Sequence, residues 1–117
     1  MTFYTGTSGF SYKEWKGSFY PEKLRDKAML PYYAERLGAV EINNTFYRMP
    51  KRDVIQQWAD DTPAHFRFII KASRRITHFK RLVDTDEQMG YLLTNTAVLG
   101  DKLGALLFQL PPNLRLD

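Results

Sequence analysis

Glu41, Asn43, Lys71 and Ser73 sit where a backbone with a two-residue period would gather them. In Ala39-Val40-Glu41-Ile42-Asn43 and in the run from Phe66 to Ser73, apolar side chains alternate with polar ones. Val40 and Ile42, with Phe66, Phe68 and Ile70, suit a face covered by helices, which turns Glu41, Asn43, Ile69, Lys71 and Ser73 to the other face. A third run, Gly104 to Leu110, repeats the pattern with Leu106, Phe108 and Leu110 on the helix side and Leu107 and Gln109 opposite. A carboxylate beside an ammonium can serve as a general base or acid next to an electrostatic stabiliser of an oxyanion or phosphate. A buried Glu or Lys is rare unless paired, so a neutralising Glu41–Lys71 pair in a buried interior is the structural alternative. A Schiff-base role for Lys71 would need a desolvated, lowered pKa. Asn43 and Gln109 can orient a ligand by hydrogen bonds or satisfy backbone and water.

The segment after the second of these runs is basic. Lys71, Arg74, Arg75, Lys80 and Arg81 surround His78, with Asp84 the first acid to follow. Such a patch suits phosphate or a nucleic-acid backbone without sequence readout, and is equally common as a solvated surface. His78 is a candidate acid or phosphate ligand within it. His65, just before the Phe66 run, belongs to the opposite end of the strand and reads as structural. Trp15 and Tyr47 follow strand ends and are the aromatics best placed for stacking on a ligand. Most of the others, Phe19-Tyr20-Pro21 among them, more naturally pin a long loop. No metal is expected from these residues: there is no cysteine, and Glu41 with His78 falls short of the usual three protein ligands. No cofactor is expected either.

The elements that must position these residues follow from the pattern. The chain has 117 residues, is 44% hydrophobic and carries a net charge of +4, enough apolar material for one core and a mild bias toward anionic partners. Absence of cysteine excludes disulfides and thiol chemistry. The start lacks the basic and apolar regions of a signal peptide, and no window is apolar for the length of a membrane span, so a cytoplasmic location is expected. Phe3-Tyr4-Thr5 is the first expected strand. Met29, Leu30, Tyr33, Ala34 and Leu37 recur at helical spacing before Gly38, and Val54, Ile55 and Trp58 mark a short helix halted by Asp60-Asp61-Thr62-Pro63. A capping box of Asp84 and Glu87 precedes a third helical stripe of Met89, Leu92, Leu93, Thr96 and Ala97.

Four strands alternating with three helices predict an α/β class with parallel pairing through right-handed crossovers. The dinucleotide fingerprint is missing, because Gly6-Thr7-Ser8-Gly9 leads into a long loop and not into a helix. A full eight-unit barrel takes ~250 residues, and this chain holds about half of the units.

Ordered blocks then point to a family. Gly6-Thr7-Ser8-Gly9, Trp15-Lys16-Gly17 with Phe19-Tyr20-Pro21, Tyr32-Tyr33-Ala34, and Val40 through Tyr47 resemble the opening of domain-of-unknown-function family 72, also called YecE-like. Trp58 with Thr62-Pro63, Phe66 to Lys71 running on to Thr77-His78, and Leu99-Gly100 with Leu107 to Pro112 continue the resemblance in order. It implies a TIM-like (β/α) barrel of which residues 1–117 are the N-terminal half, and it implies no reaction. In a barrel the Glu41 and Lys71 face becomes the interior, and sites gather at the strands' C-terminal ends. Two functions are open: an enzyme acting on a phosphate-bearing or nucleic-acid substrate, and a non-catalytic nucleic-acid or small-ligand binding protein. Unpaired edge strands further lead one to expect a homodimer or a complementing C-terminal half as partner.

Overall fold

The computed structural model describes residues 3–46, 48, 50–74, 76–77 and 86–110. Four strands, β1 (Gly6–Ser8), β2 (Ala39–Ile42), β3 (Arg67–Lys71) and β4 (Leu103–Leu107), lie side by side in chain order and all pair in parallel. Helices α1 (Met29–Arg36), α2 (Arg52–Asp60) and α3 (Asp86–Thr96) form the crossovers. Val40, Ile42, Phe68 and Ile70 join Met29, Leu30, Tyr33, Ile55, Leu92 and Leu99 in a single core, so the helices cover one face of the sheet. An unreversed strand order with helices on one side is the wall of a (β/α) barrel, here a partial one, and lacks the strand-order reversal of a doubly wound sheet.

Local chemistry explains each element. Met29, Leu30, Tyr33 and Ala34 are buried, as their spacing requires, and Arg36 lies in the last turn, where a cation opposes the helix dipole. Helix α2 buries Ile55 completely and lays Trp58 over Phe68 with centroids 6.1 Å apart, while Val54 stays exposed. Its end is held by Lys102, whose Nζ donates to Ala59 O in the last turn at 2.5 Å and to Thr62 O just beyond the helix at 2.6 Å. The loop between β1 and α1 is pinned by rings: Trp15, Phe19, Tyr20 and Tyr32 pack at 5.0–5.8 Å, mostly edge to face. Burial, reinforced by Tyr33, pushes the Tyr20 phenol up to about 12, so it remains the donor to Phe10 O at 2.5 Å.

The structure corrects three expectations. The first strand is Gly6–Ser8 and not Phe3-Tyr4-Thr5. Phe3 is 82% exposed, and the sheet begins only where Thr5 O accepts from Gly38 N and Ala39 N. Tyr33 fixes that register, because its hydroxyl accepts from Thr7 N at 2.7 Å and donates to Ala39 O at 2.8 Å. In α3 the buried stripe is Leu92, Asn95, Thr96 and, beyond the helix, Leu99, whereas Leu93 and Ala97 point to solvent. Asn95 tolerates burial through its bond to Pro50 O. Strand β4 ends at Leu107, leaving Gln109 and Leu110 exposed beyond it. The Asp84 cap lies outside the described residues.

Candidate functional site at the strand ends

Registers decide which side chains share the face away from the helices. Ser8 aligns with Glu41, Glu41 with Ile69 and Ile69 with Ala105, and Lys71 aligns with Leu107. Glu41, Ile69 and Lys71 are each partly buried between fully buried neighbours, the alternation expected of a strand covered on one face only. Ser8, Glu41, Asn43 and Lys71 therefore cluster toward the C-terminal ends of β1, β2 and β3.

Among the described residues Glu41 and Lys71 form no ion pair, so the neutralising pair that the sequence left open as an alternative is not made. The register sets them diagonally, one strand and two residues apart, or about 8 Å between Cα atoms. Among the described residues the ion pairs are Lys16 with Asp26 and Arg36 with Glu35, both on the surface. Lys71, Ser73 and Arg74 each make contacts of their own within the chain.

The upper rim is built by short polar residues. Gly9 N donates to Glu41 O at 2.7 Å, tying the end of β1 to β2. Asn43 Nδ2 donates to Ser8 Oγ, and its Oδ1 is buried with no hydrogen-bond partner among the described residues. Turning the amide over would exchange the two atoms without filling the empty position, so one polar group of Asn43 is left unsatisfied either way. Thr45, completely buried, shares its one hydroxyl proton between Lys71 O at 2.8 Å and Ile42 O at 3.0 Å and locks the turn after β2 onto the end of β3. Ala72 N reaches Leu107 O at 2.8 Å, which extends the lock to β4.

Of the residues singled out in the sequence, Glu41, Asn43 and Lys71 share this face, and Ser73 and Arg74 follow the end of β3, both partly buried. Gln109 is exposed two residues beyond β4. Trp15 is drawn into the aromatic cluster that packs on the core, on the other side of the sheet from Glu41. His65 is exposed at the N-terminal end of β3. Tyr47, Arg75 and His78 lie outside the described residues. Ser8 and Thr45 were not anticipated. Ser8 follows from the two-residue period once β1 is moved to Gly6, while the Asn44-Thr45 turn carries no period to read. Among the described residues, no three His, Asp or Glu side chains come together as a metal site would require, and no helix is long and apolar enough to cross a membrane.

A partial (β/α) barrel wall with polar groups at its C-terminal strand ends is the class that fold and site define. The chain belongs to the family described as protein of unknown function DUF72, whose model matches residues 4–117. It is 34% identical over 82 residues to the UPF0759 protein YecE of Escherichia coli K12, covering 70% of this chain and 30% of that protein. It is 30% identical over 115 residues to the UPF0759 protein YunF of Bacillus subtilis, covering 93% and 40%. A crystal structure of a DUF72 family protein from Thermotoga maritima superposes with a TM-score of 0.79 at 33% identity, over 97% of this chain and 46% of that one. One from Enterococcus faecalis gives 0.68 at 23% identity, over 96% and 41%, and speaks to the fold alone. The chain thus spans less than half the length of the relatives it matches.

Proposed function

We propose that the chain forms one side of an anion site in a barrel interior, and that the protein acts on a phosphate-bearing substrate, nucleic acid included. In this reading Lys71 and Arg74 attract the phosphate, Asn43 and Ser8 orient it, and Glu41 moves a proton. The observation that carries it is the convergence of Ser8, Glu41, Asn43 and Lys71 on one polar face, with the buried, unsatisfied amide position of Asn43 calling for a partner. The net charge of +4 supports an anionic ligand.

Titration with inorganic phosphate and with a labelled single-stranded oligonucleotide tests the reading. Affinity should fall steadily as salt rises. Lys71→Met combined with Arg74→Glu should weaken binding roughly tenfold or more, the scale of a lost charge-assisted contact. Glu41→Gln should leave binding intact or tighter, because it removes a negative charge beside the anion, while abolishing any phosphoester turnover. Salt-independent binding, or binding indifferent to the double change, overturns the reading. Binding that persists with no turnover, and with no pH–rate profile, identifies a non-catalytic binding protein instead.

A further inference from the structure

On the helix side of the sheet, away from the strand-end face, the start of α1 and one face of α2 enclose an open groove of about 820 Å³. That volume falls in the usual range for ligand clefts. Its apolar wall is Phe10, Leu30, Val54 and Trp58, and its polar groups are Ser11, Asp26, Lys27, Asp53, Gln57 and Asp61. Asp26 is paired with Lys16 at 3.7 Å, which leaves Asp53 and Asp61 against the Lys27 ammonium and the lining net acidic, opposite in sign to the chain's +4.

The arrangement along α2 is regular. Asp53, Gln57 and Asp61 stand four residues apart and make one row of acid, amide and acid, with Val54 and Trp58 forming an apolar row beside it. The two carboxylates are eight residues, or about 12 Å, apart along the axis. Gln57 Nε2 donates to Asp61 Oδ1 at 2.8 Å, which fixes the middle of the row and leaves the amide oxygen as an acceptor between the two acids. Helix stability accounts for Asp53, which lies in the first turn of α2 where the dipole favours anions, and Lys16 accounts for Asp26 by an ion pair. Neither accounts for Asp61, which caps the C-terminus, where a carboxylate is disfavoured.

We propose that this groove binds a linear polyamine, its ammonium groups on Asp53, Gln57 Oε1 and Asp61 and its methylene segments along Val54 and Trp58. Cationic nitrogens spaced by short apolar links match both rows at once, and the Trp58 ring adds an aromatic surface for a cation. A compact cation such as magnesium would engage the carboxylates but not the apolar row.

Calorimetric titration of the full chain with spermidine, compared with magnesium chloride, tests the proposal. Spermidine should bind at one equivalent and shift the NMR signals of the Trp58 indole and the Gln57 side-chain amide. Asp53→Asn with Asp61→Asn should weaken it roughly tenfold or more. Asp60→Asn should leave it unchanged, because Asp60 pairs with Gln56 outside the groove. Gln57→Glu adds a charge to the row and should tighten binding, a gain that no loss of folding could imitate. No saturable binding, equal weakening by Asp60→Asn, looser binding in Gln57→Glu, or displacement by equimolar magnesium each overturns it.

Discussion

Replacing Phe68 by alanine removes about 3–5 kcal/mol of stability, the range for deleting a fully buried phenylalanine. Its ring is completely buried, stacks on Trp58 at 6.1 Å and meets Phe66 edge to face at 5.1 Å, so the cavity would open where α2 docks on the sheet. Against a domain stability of ~5–15 kcal/mol this is a large part of the whole. Ile69→Ala, next along β3 but on the polar face, should cost less than half as much. Urea unfolding followed by circular dichroism measures both. Equal losses would contradict a core confined to the helix side.

The second large effect comes from adding one methyl group. A Cβ at Gly6 would stand 1.9 Å from the carbonyl oxygen of Ala39 on the neighbouring strand, an obstacle of backbone that no rotamer change relieves. Gly6→Ala should therefore cost at least the upper end of the ~1–3 kcal/mol typical of overpacking, or separate β1 from β2. Gly90→Ala in α3 meets nothing within 4 Å and should stabilise by about 0.5–1 kcal/mol through helix propensity. Thermal melting compares the two, and amide exchange at Gly9, bonded to Glu41 O, reports whether β1 has let go. Because Ser8 is carried by β1, Gly6→Ala should also weaken phosphate binding. A variant melting like the parent would show that β1 can shift without penalty.

Where the sequence succeeded, one period dominated. The stripe Met29, Leu30, Tyr33, Ala34 set α1, and the alternation around Glu41 and Lys71 told which side chains leave the core. The three-helix, four-strand order and the family resemblance were legible for the same reason: each rests on runs several residues long. Where it failed, a tertiary contact outweighed local preference. Phe3 and Tyr4 are β-prone, yet the backbone fit of Gly6 on Ala39 and the Tyr33 hydrogen bonds moved the strand three residues on. Leu93 fits a helical stripe as well as Asn95 does, and the partner that the buried asparagine amide finds, the carbonyl of Pro50, lies 45 residues away in sequence. The separation of Glu41 from Lys71 is a matter of inter-strand register, which alternation within either strand does not contain. Ser8 and Thr45 act through bonds across 35 and 26 residues, beyond the reach of any local pattern.

The central claim is that the polar face at the ends of β1, β2 and β3 holds the anion. Mapping phosphate titration onto backbone amide NMR shifts tests it most directly. The account predicts saturable shifts at Ser8 and Gly9, at Glu41 to Asn44 and at Lys71 to Arg74, with α1 and α2 unmoved and the shifts lost in Lys71→Met with Arg74→Glu. Shifts confined to the helix side, or scattered over surface lysines and unaffected by that double change, would contradict it.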